Sequence, residues 1–260
     1  MRTALIGYTG FVGSNLASRH DFDEVYNSRN IHEIEGESFD LLVTAGNRAD
    51  SHRINREGDA DRAEVDALAD RLATVKTGKV VLISTVCVYP GQTSPVESTP
   101  TDEDGLTPYG ANRLHQERRL TAEHDALVVR LPQLYGDGLK KGIVYDLAND
   151  YRVEFIRPEA EFQYYDVRRL WNDIGIALDA GLSSLNLATP ALRNDVVAAT
   201  FGIDISGNDP GPADPFASMY TRDMRTEHAG LFGGDGPYLL DADAELAGIR
   251  SFADSIREVR

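Results

Sequence analysis

The sequence predicts an α/β fold in which one parallel sheet is wound on both sides by helices. Three observations predict it. Short apolar runs alternate with helical patterns along the first 130 residues, which is the signature of βαβ crossovers. The first run passes straight into glycines at 7, 10 and 13, with an apolar-periodic helix behind them. At 260 residues, the chain is long enough for one large α/β domain and a small appendage.

Strands are expected at residues 3–7, 24–27, 40–45, 79–84 and 127–131, each a short apolar run between polar or glycine-bearing breaks. Helices are expected at 11–19, 31–35, 60–75 and 108–123, the last opened by Pro108 at a position where proline suits a first turn. Parallel neighbours joined this way cross over with a right hand. From about residue 149 the pattern loosens. A helix at 170–180 and a strand at 184–187 return to the core, 203–215 is rich in Gly, Pro and Asp and reads as loop, and 242–257 forms a final helix. The expected division is therefore a nucleotide-binding domain over 1–150, with 165–190 returning to it. Residues 151–260 mostly form a small substrate-binding lid and tail.

Composition narrows the function. The net charge of −16, from 42 acidic and 26 basic residues, argues against nucleic acid and anionic lipid as partners and reads as a solvated surface. No apolar run approaches the roughly 20 residues of a membrane span, and the N-terminus runs directly into the first strand without a leader, so the expected location is cytoplasmic. Cys87 stands alone and cannot form an internal disulfide. The six histidines show no metal-ligand spacing, so no metal is expected.

A strand, a glycine-rich turn and a helix let the backbone approach a pyrophosphate that rests on the helix N-terminus. Gly7, Thr9, Gly10, Phe11, Val12 and Gly13 are the candidate contacts for a dinucleotide. An acid about twenty residues beyond the turn would bind the ribose 2′-hydroxyl of NAD. This chain has Tyr26-Asn-Ser-Arg-Asn30 there, and Ser28 with Arg29 suits a 2′-phosphate, so NADP is preferred over NAD.

The ordered motifs resemble the extended short-chain dehydrogenases/reductases, also called NAD-dependent epimerases/dehydratases, over roughly the first 180 residues. Gly7-Tyr-Thr-Gly-Phe-Val-Gly13 resembles the family's nucleotide turn, and Leu41-Leu-Val-Thr-Ala-Gly46 its fourth strand, with Ala45 and Gly46 against the adenosine. Ile83-Ser-Thr-Val-Cys-Val-Tyr-Pro90 is similar to the strand that carries the catalytic Ser or Thr. Pro108-Tyr-Gly-Ala-Asn-Arg113 is similar to the segment with the catalytic Tyr-x-x-x-Lys. Arg130-Leu-Pro-Gln-Leu-Tyr-Gly136 resembles the strand and loop over the nicotinamide, bringing in Leu131 and Pro132, with Gln133 toward substrate. The resemblance implies a Rossmann-type fold and hydride transfer.

Hydride transfer at a carbon needs a proton moved at the attached oxygen. A tyrosine does this when a nearby cation lowers its pKa, and residues i and i+4 share a helix face. Tyr109 is thus the acid/base, Thr85 the group that orients the substrate oxygen, and Arg113 the electrostatic partner; the resemblance implies that Tyr109 and Arg113 also contact the cofactor, Arg113 at the nicotinamide ribose.

The chain departs from the family in several places. Position 113 holds arginine where lysine is expected, so a catalytically impaired cofactor-binding sensor or interaction protein stays open beside the enzyme. If strand conformation persists past Thr85, then Thr85, Cys87 and Tyr89 share a face. The run then resembles GDP-fucose synthase, whose matching cysteine moves protons during epimerisation. No partner histidine is evident, and Lys140 or Lys141 would substitute; the other reading of Cys87 is a small buried hydrophobe. Val86 and Cys87 replace the Asp-Glu pair of dehydratases, which argues against dehydration. No arginine stands at 162–163 to hold a nucleotide-sugar diphosphate; Arg168, Arg169, Arg222 and Arg225 are the nearest candidates. The expected function is an NAD(P)-dependent reductase acting on a carbonyl or secondary alcohol of a sugar-like small molecule, with a keto-sugar epimerase or epimerase-reductase as the alternative. The resemblance also implies a homodimer, with helices 60–75 and 108–123 as candidates for its face.

Overall fold

The computed structural model describes residues 1–212 and 222–258. Two compact units divide the chain: the first comprises Met1–Pro90, Glu97–Leu131 and Leu170–Asn186, the second Gly91–Val96, Pro132–Arg169 and Leu187–Arg260.

The first unit is a six-stranded parallel sheet. Its strands are β1 (Thr3–Ile6), β2 (Glu24–Tyr26), β3 (Ser38–Thr44), β4 (Lys76–Thr85), β5 (Ala126–Leu131) and, later in the chain, β8 (Ser184–Asn186). Their order in space is β2-β1-β3-β4-β5-β8. The winding direction reverses between β1 and β3, and in open α/β sheets such a reversal opens a crevice at the carboxyl ends of the strands. Helices α1 (Phe11–Ala17), α2 (Ser51–Ile54), α3 (Gly58–Leu72), α4 (Pro108–Glu123) and α6 (Leu170–Asp179) flank the sheet. His20, just beyond α1, stacks 4.2 Å from Trp171 of α6, while α3 and α4 are joined through Asp61 and Arg113.

Alternation along the strands explains the two layers. Ala4, Ile6, Leu42, Val80, Leu82, Ala126 and Val128 pack with Leu72 of α3 and Leu120 of α4 in one core. The intervening Leu5, Leu41, Val43, Val81, Leu127 and Val129 are equally buried. A parallel sheet covered on both faces produces such runs of consecutive apolar residues. The doubly wound parallel sheet expected from the sequence is the fold of this unit.

Residues 41–44 of the segment that resembles the family's fourth strand lie in the third strand of this chain, and Ala45 and Gly46 follow its end. Only a 3-10 turn, Ile31–Ile34, lies between Tyr26 and Ser38, a stretch too short to hold a helix and another strand. The expected helix at 31–35 is that turn.

In the second unit, β6 (Gln133–Tyr135) pairs parallel with β7 (Glu161–Asp166), which pairs antiparallel with β9 (Ala191–Arg193). Helices α5 (Ile143–Asn149), α7 (Asn194–Thr200) and α8 (Ala242–Glu258) accompany them. The chain leaves the first unit at Leu131 and returns to it at Leu170, so residues 132–150, expected in the nucleotide-binding portion, fall in the second. Residues 203–212 hold no helix or strand, as their composition suggests; 213–215 lie outside the described residues.

Glu245 in the first turn of α8 is only 2% exposed. Its Oε1 has no hydrogen-bond partner, while Tyr135 bonds to the carboxyl. Burial raises its pKa from 4.5 to about 8. The folded state therefore holds this proton where the unfolded chain has released it, and stability falls as pH rises from about 4.5 to 8. Glu245→Gln should remove that fall, a difference of roughly 4 kcal/mol at the alkaline end. Urea unfolding of both proteins at pH 5 and pH 8.5 measures it; an unchanged pH dependence would refute the assignment.

Candidate functional site

At the end of β1 the chain turns at Gly7, whose φ of +87° lies in the left-handed region. A Cβ there would meet the carbonyl oxygen of Ala45 at 2.4 Å, and one on Gly13 would meet the Gly7 oxygen at 2.1 Å. Both glycines are therefore required for the backbone packing itself. They bring Gly7, Gly13, Ala45 and Gly46 together where the winding reverses between β1 and β3. Gly10 precedes α1 without a capping side chain, so the first-turn amides, around Phe11 and Val12, have no side-chain acceptor. Thr9 and Gly10 are exposed, Phe11 and Val12 half-buried. Nearby, Thr44 Oγ1 at the end of β3 is buried and has no hydrogen-bond partner. This cradle, tight in backbone and open in donors, fits the pyrophosphate of a dinucleotide.

Beyond β2, Asn27 and Asn30 shape a turn. The Asn27 amide donates to Asn30 Oδ1 at 2.8 Å, and the Arg29 amide donates to Asn27 Oδ1 at 2.8 Å. Asn27 Nδ2 also donates to the Tyr8 hydroxyl at 3.1 Å, tying the turn to the glycine segment. Ser28 and Arg29 stand exposed at its tip, with no carboxylate among residues 27–30.

The second cluster gathers at the end of β4. Thr85 ends the strand, paired in register with Leu131 of β5. Strand conformation does not persist beyond it. Val86–Val88 forms a 3-10 turn that Thr85 caps, its Oγ1 accepting from the Cys87 amide at 3.2 Å. The condition for Thr85, Cys87 and Tyr89 to share a face by alternation is thus not met, because the hydroxyl cap curls the chain. Thr107 caps α4 by accepting from the Gly110 amide, and Pro108 follows in the first turn. The Tyr109 amide donates to Asn55 Oδ1 at 3.0 Å. A Cβ on Gly110 would lie 2.1 Å from the Cys87 carbonyl oxygen, so only glycine lets α4 approach this turn.

The approach places Tyr109 among Thr85, Cys87 and Arg113. Thr85 and Arg113 both hydrogen-bond with the Tyr109 side chain, and the Arg113 guanidinium carbon lies 4.8 Å from its ring centre. Burial pushes the Tyr109 hydroxyl above the usual tyrosine pKa and the Cys87 thiol adds to that; the Arg113 charge and the Thr85 bond oppose it. The expected cation is present, and in the protein alone burial outweighs it.

Asp61 of α3 was not singled out in the sequence. Arg113 donates to it twice, Nη1 to Oδ2 at 3.0 Å and Nη2 to Oδ1 at 2.9 Å, and Nη2 also donates to the Arg48 carbonyl at 2.7 Å. One signal was available: Asp61 lies on the same helical stripe as buried Val65, Ala69 and Leu72, where an acid is out of place. The buried ion pair of Glu117 and Arg130 was missed likewise.

Of the remaining candidates, Pro132, Gln133 and Lys141 belong to the second unit. Pro132 and Gln133 are half-buried, and Gln133 pairs with Tyr164 at the start of β6; Lys140 and Lys141 are exposed before α5. Arg168 is paired with Asp166 and Arg225 with Asp223, and Arg169 lies over the Tyr165 ring. Gln163 is buried, accepting from the Met224 amide and donating to the Met224 and Thr189 carbonyls. Among the described residues no three His, Cys, Asp or Glu side chains group as metal ligands, and no helix is long and apolar enough to cross a membrane.

Residues 27–153 match the model of the NAD dependent epimerase/dehydratase family, so the resemblance carried by the motifs holds over that span. No curated protein sequence matches the chain. Among solved structures, a dTDP-4-dehydrorhamnose reductase from Clostridium acetobutylicum is 15% identical, with 99% of this chain and 100% of that one covered at a TM-score of 0.74. A UDP-glucose 4-epimerase from Thermotoga maritima with UDP-glucose is 14% identical, covering 100% and 99% at 0.74. MoeE5 in complex with UDP-glucuronic acid and NAD is 15% identical, covering 100% of each chain at 0.76. At these identities the likeness is one of fold.

Proposed function

We propose that this chain, of the NAD dependent epimerase/dehydratase family over residues 27–153, is an NADP-dependent oxidoreductase acting on a carbonyl or secondary alcohol of a sugar or nucleotide-sugar-like molecule. The observation that carries the reading is the convergence of Thr85 and Arg113 on Tyr109. Gly7, Gly10, Gly13, Ala45 and Gly46 hold the dinucleotide in the cradle, with Ser28 and Arg29 on the 2′-phosphate. When bound, the nicotinamide supplies or accepts the hydride. Thr85 orients the substrate oxygen by a hydrogen bond, and Tyr109 moves the proton at that oxygen. Arg113 stabilises the tyrosinate that forms and reaches toward the ribose. Leu131 lines the nicotinamide.

Nucleotide-sugar neighbours support a sugar-like substrate. The pairing of Arg168 and Arg225 with carboxylates favours a substrate that needs no diphosphate clamp. The same proposal includes a homodimer, although the α3 and α4 faces carry exposed ion pairs such as Arg119 with Asp70.

A fluorescence titration with NADPH and with NADH tests the cofactor assignment. NADPH should bind more tightly, and Arg29→Ala should weaken NADPH by about 10-fold or more while leaving NADH unchanged, since a charge-assisted hydrogen bond is worth roughly 1.5–3 kcal/mol. Equal or reversed preference would sink the 2′-phosphate assignment. One observation favours a second reading, keto-sugar epimerisation: Cys87 sits in the turn against which α4 packs beside Tyr109, its amide on the Thr85 hydroxyl. Loss of solvent deuterium exchange into a keto-sugar on Cys87→Ser would support it, and unchanged exchange would remove it.

A further inference from the structure

Arg113 is buried inside the first unit, and its charge is shared. Three of its five N–H groups are committed: two to the Asp61 carboxylate and one to the Arg48 carbonyl. Both partners of the ion pair are nearly sealed from water, with side-chain exposures of 4% and 5%. A planar guanidinium gripped at both Nη atoms by one carboxylate can neither rotate nor slide. The remaining donors, at Nε and Nη1, are thereby aimed, and one of them serves Tyr109. Asp61 is itself held, because its Oδ2 also accepts from Asn112 Nδ2 at 2.9 Å, and Asn112 donates to the Gly58 carbonyl at 2.8 Å. The acid therefore sits in a fixed polar frame linking α3 to α4, one guanidinium away from the tyrosine.

From this geometry we infer that Asp61 is a positioning residue for the reaction. It fixes the Arg113 fork beside Tyr109 and, as that cation's partner in an ion pair, sets how strongly it favours the tyrosinate. The inference rests on the assignment of Tyr109 as the acid/base. It accounts for how an arginine serves at position 113: alone, a buried guanidinium would carry an unshared charge, whereas with Asp61 the pair is close to neutral and rigid. Among the described residues, the charged or titratable groups that act on Tyr109 are Cys87 from the 86–88 turn and Arg113 from its own helix; Asp61 of α3 touches Arg113.

The test is Asp61→Asn in the full chain, read in two ways. Asparagine keeps an acceptor but removes the countercharge, so Arg113 should act on Tyr109 with its whole charge. The titration of Tyr109, followed by NMR of tyrosine labelled at Cζ and assigned by Tyr109→Phe, should move to lower pH by on the order of one unit. The tyrosine-dependent limb of the turnover pH profile should move by the same amount, with kcat lowered more than KM. Asp61→Ser should move the titration in the same direction if the asparagine variant does not fold. An unmoved Tyr109 titration, with only a lowered melting temperature, would overturn the inference and reduce Asp61 to a tie between helices. A shifted titration in Asp61→Asn, with a wild-type protein that reduces no carbonyl, would instead overturn the functional reading and leave the Asp61–Arg113–Tyr109 coupling standing.

Discussion

Tyr109→Phe is expected to abolish hydride transfer while leaving cofactor binding intact. Loss of a positioned acid/base costs about 10²–10⁴-fold in turnover. The substitution removes one oxygen and preserves the ring that packs against Arg113, so the fold should tolerate it. Steady-state turnover on a responsive sugar carbonyl, together with an NADPH titration, separates the two effects. A variant that keeps more than about a tenth of wild-type turnover would refute the assignment of Tyr109 as the proton donor, since another group would then have to move the proton. A variant that loses NADPH binding as well would mean that the tyrosine belongs to the cofactor site and not to the chemistry.

The largest expected loss of stability comes from Arg130→Met. Arg130 on β5 donates from Nε to Glu117 Oε1 at 3.1 Å and from Nη2 to Oε2 at 2.8 Å; Ser84 also donates to Glu117. Nη1 of Arg130 reaches the Tyr89 hydroxyl, and that hydroxyl donates to Asn186 Oδ1 at 3.1 Å. Removing the arginine strands the Glu117 carboxylate in the interior, which typically costs 3–5 kcal/mol. Replacing both partners, as Arg130→Met with Glu117→Leu, should recover most of that loss, because no charge is then left alone. Urea unfolding of the two single variants and the double closes the cycle. Single variants within about 1 kcal/mol of wild type would show that water reaches the pair.

Much of the first unit was legible in the sequence because periodicity reports burial. Each strand from 3–7 to 127–131 was found within a few residues, and α4 at its observed bounds, because Pro108 and the preceding Thr107 announce a first turn. The glycine turn was legible for a related reason, since its spacing reflects close backbone approaches that side chains would block. The second unit was harder to read. Its strands β6 and β9 have three residues each, too few for an alternation to stand out. Periodicity also does not record which charge meets which. Asp61 and Arg113 are 52 residues apart and Glu117 and Arg130 are 13 apart, and both pairs depend on elements brought together only by folding. The sequence left the conformation past Thr85 conditional, because Val, Cys and Val at 86–88 favour strands; the local hydrogen bond to the Thr85 hydroxyl decides for a turn.

The contact of Gly110 with the Cys87 carbonyl carries a consequence for how this centre can change over evolution. Thr85 and Tyr109 are brought face to face by a seat of main chain on main chain, with no side chain as a spacer. Such a seat has no graded alternatives. A larger residue at 110 does not adjust the gap by a fraction; it forces α4 off the strand end and separates the two hydroxyls together. Variation that retunes this centre must therefore come from residues that leave the seat alone.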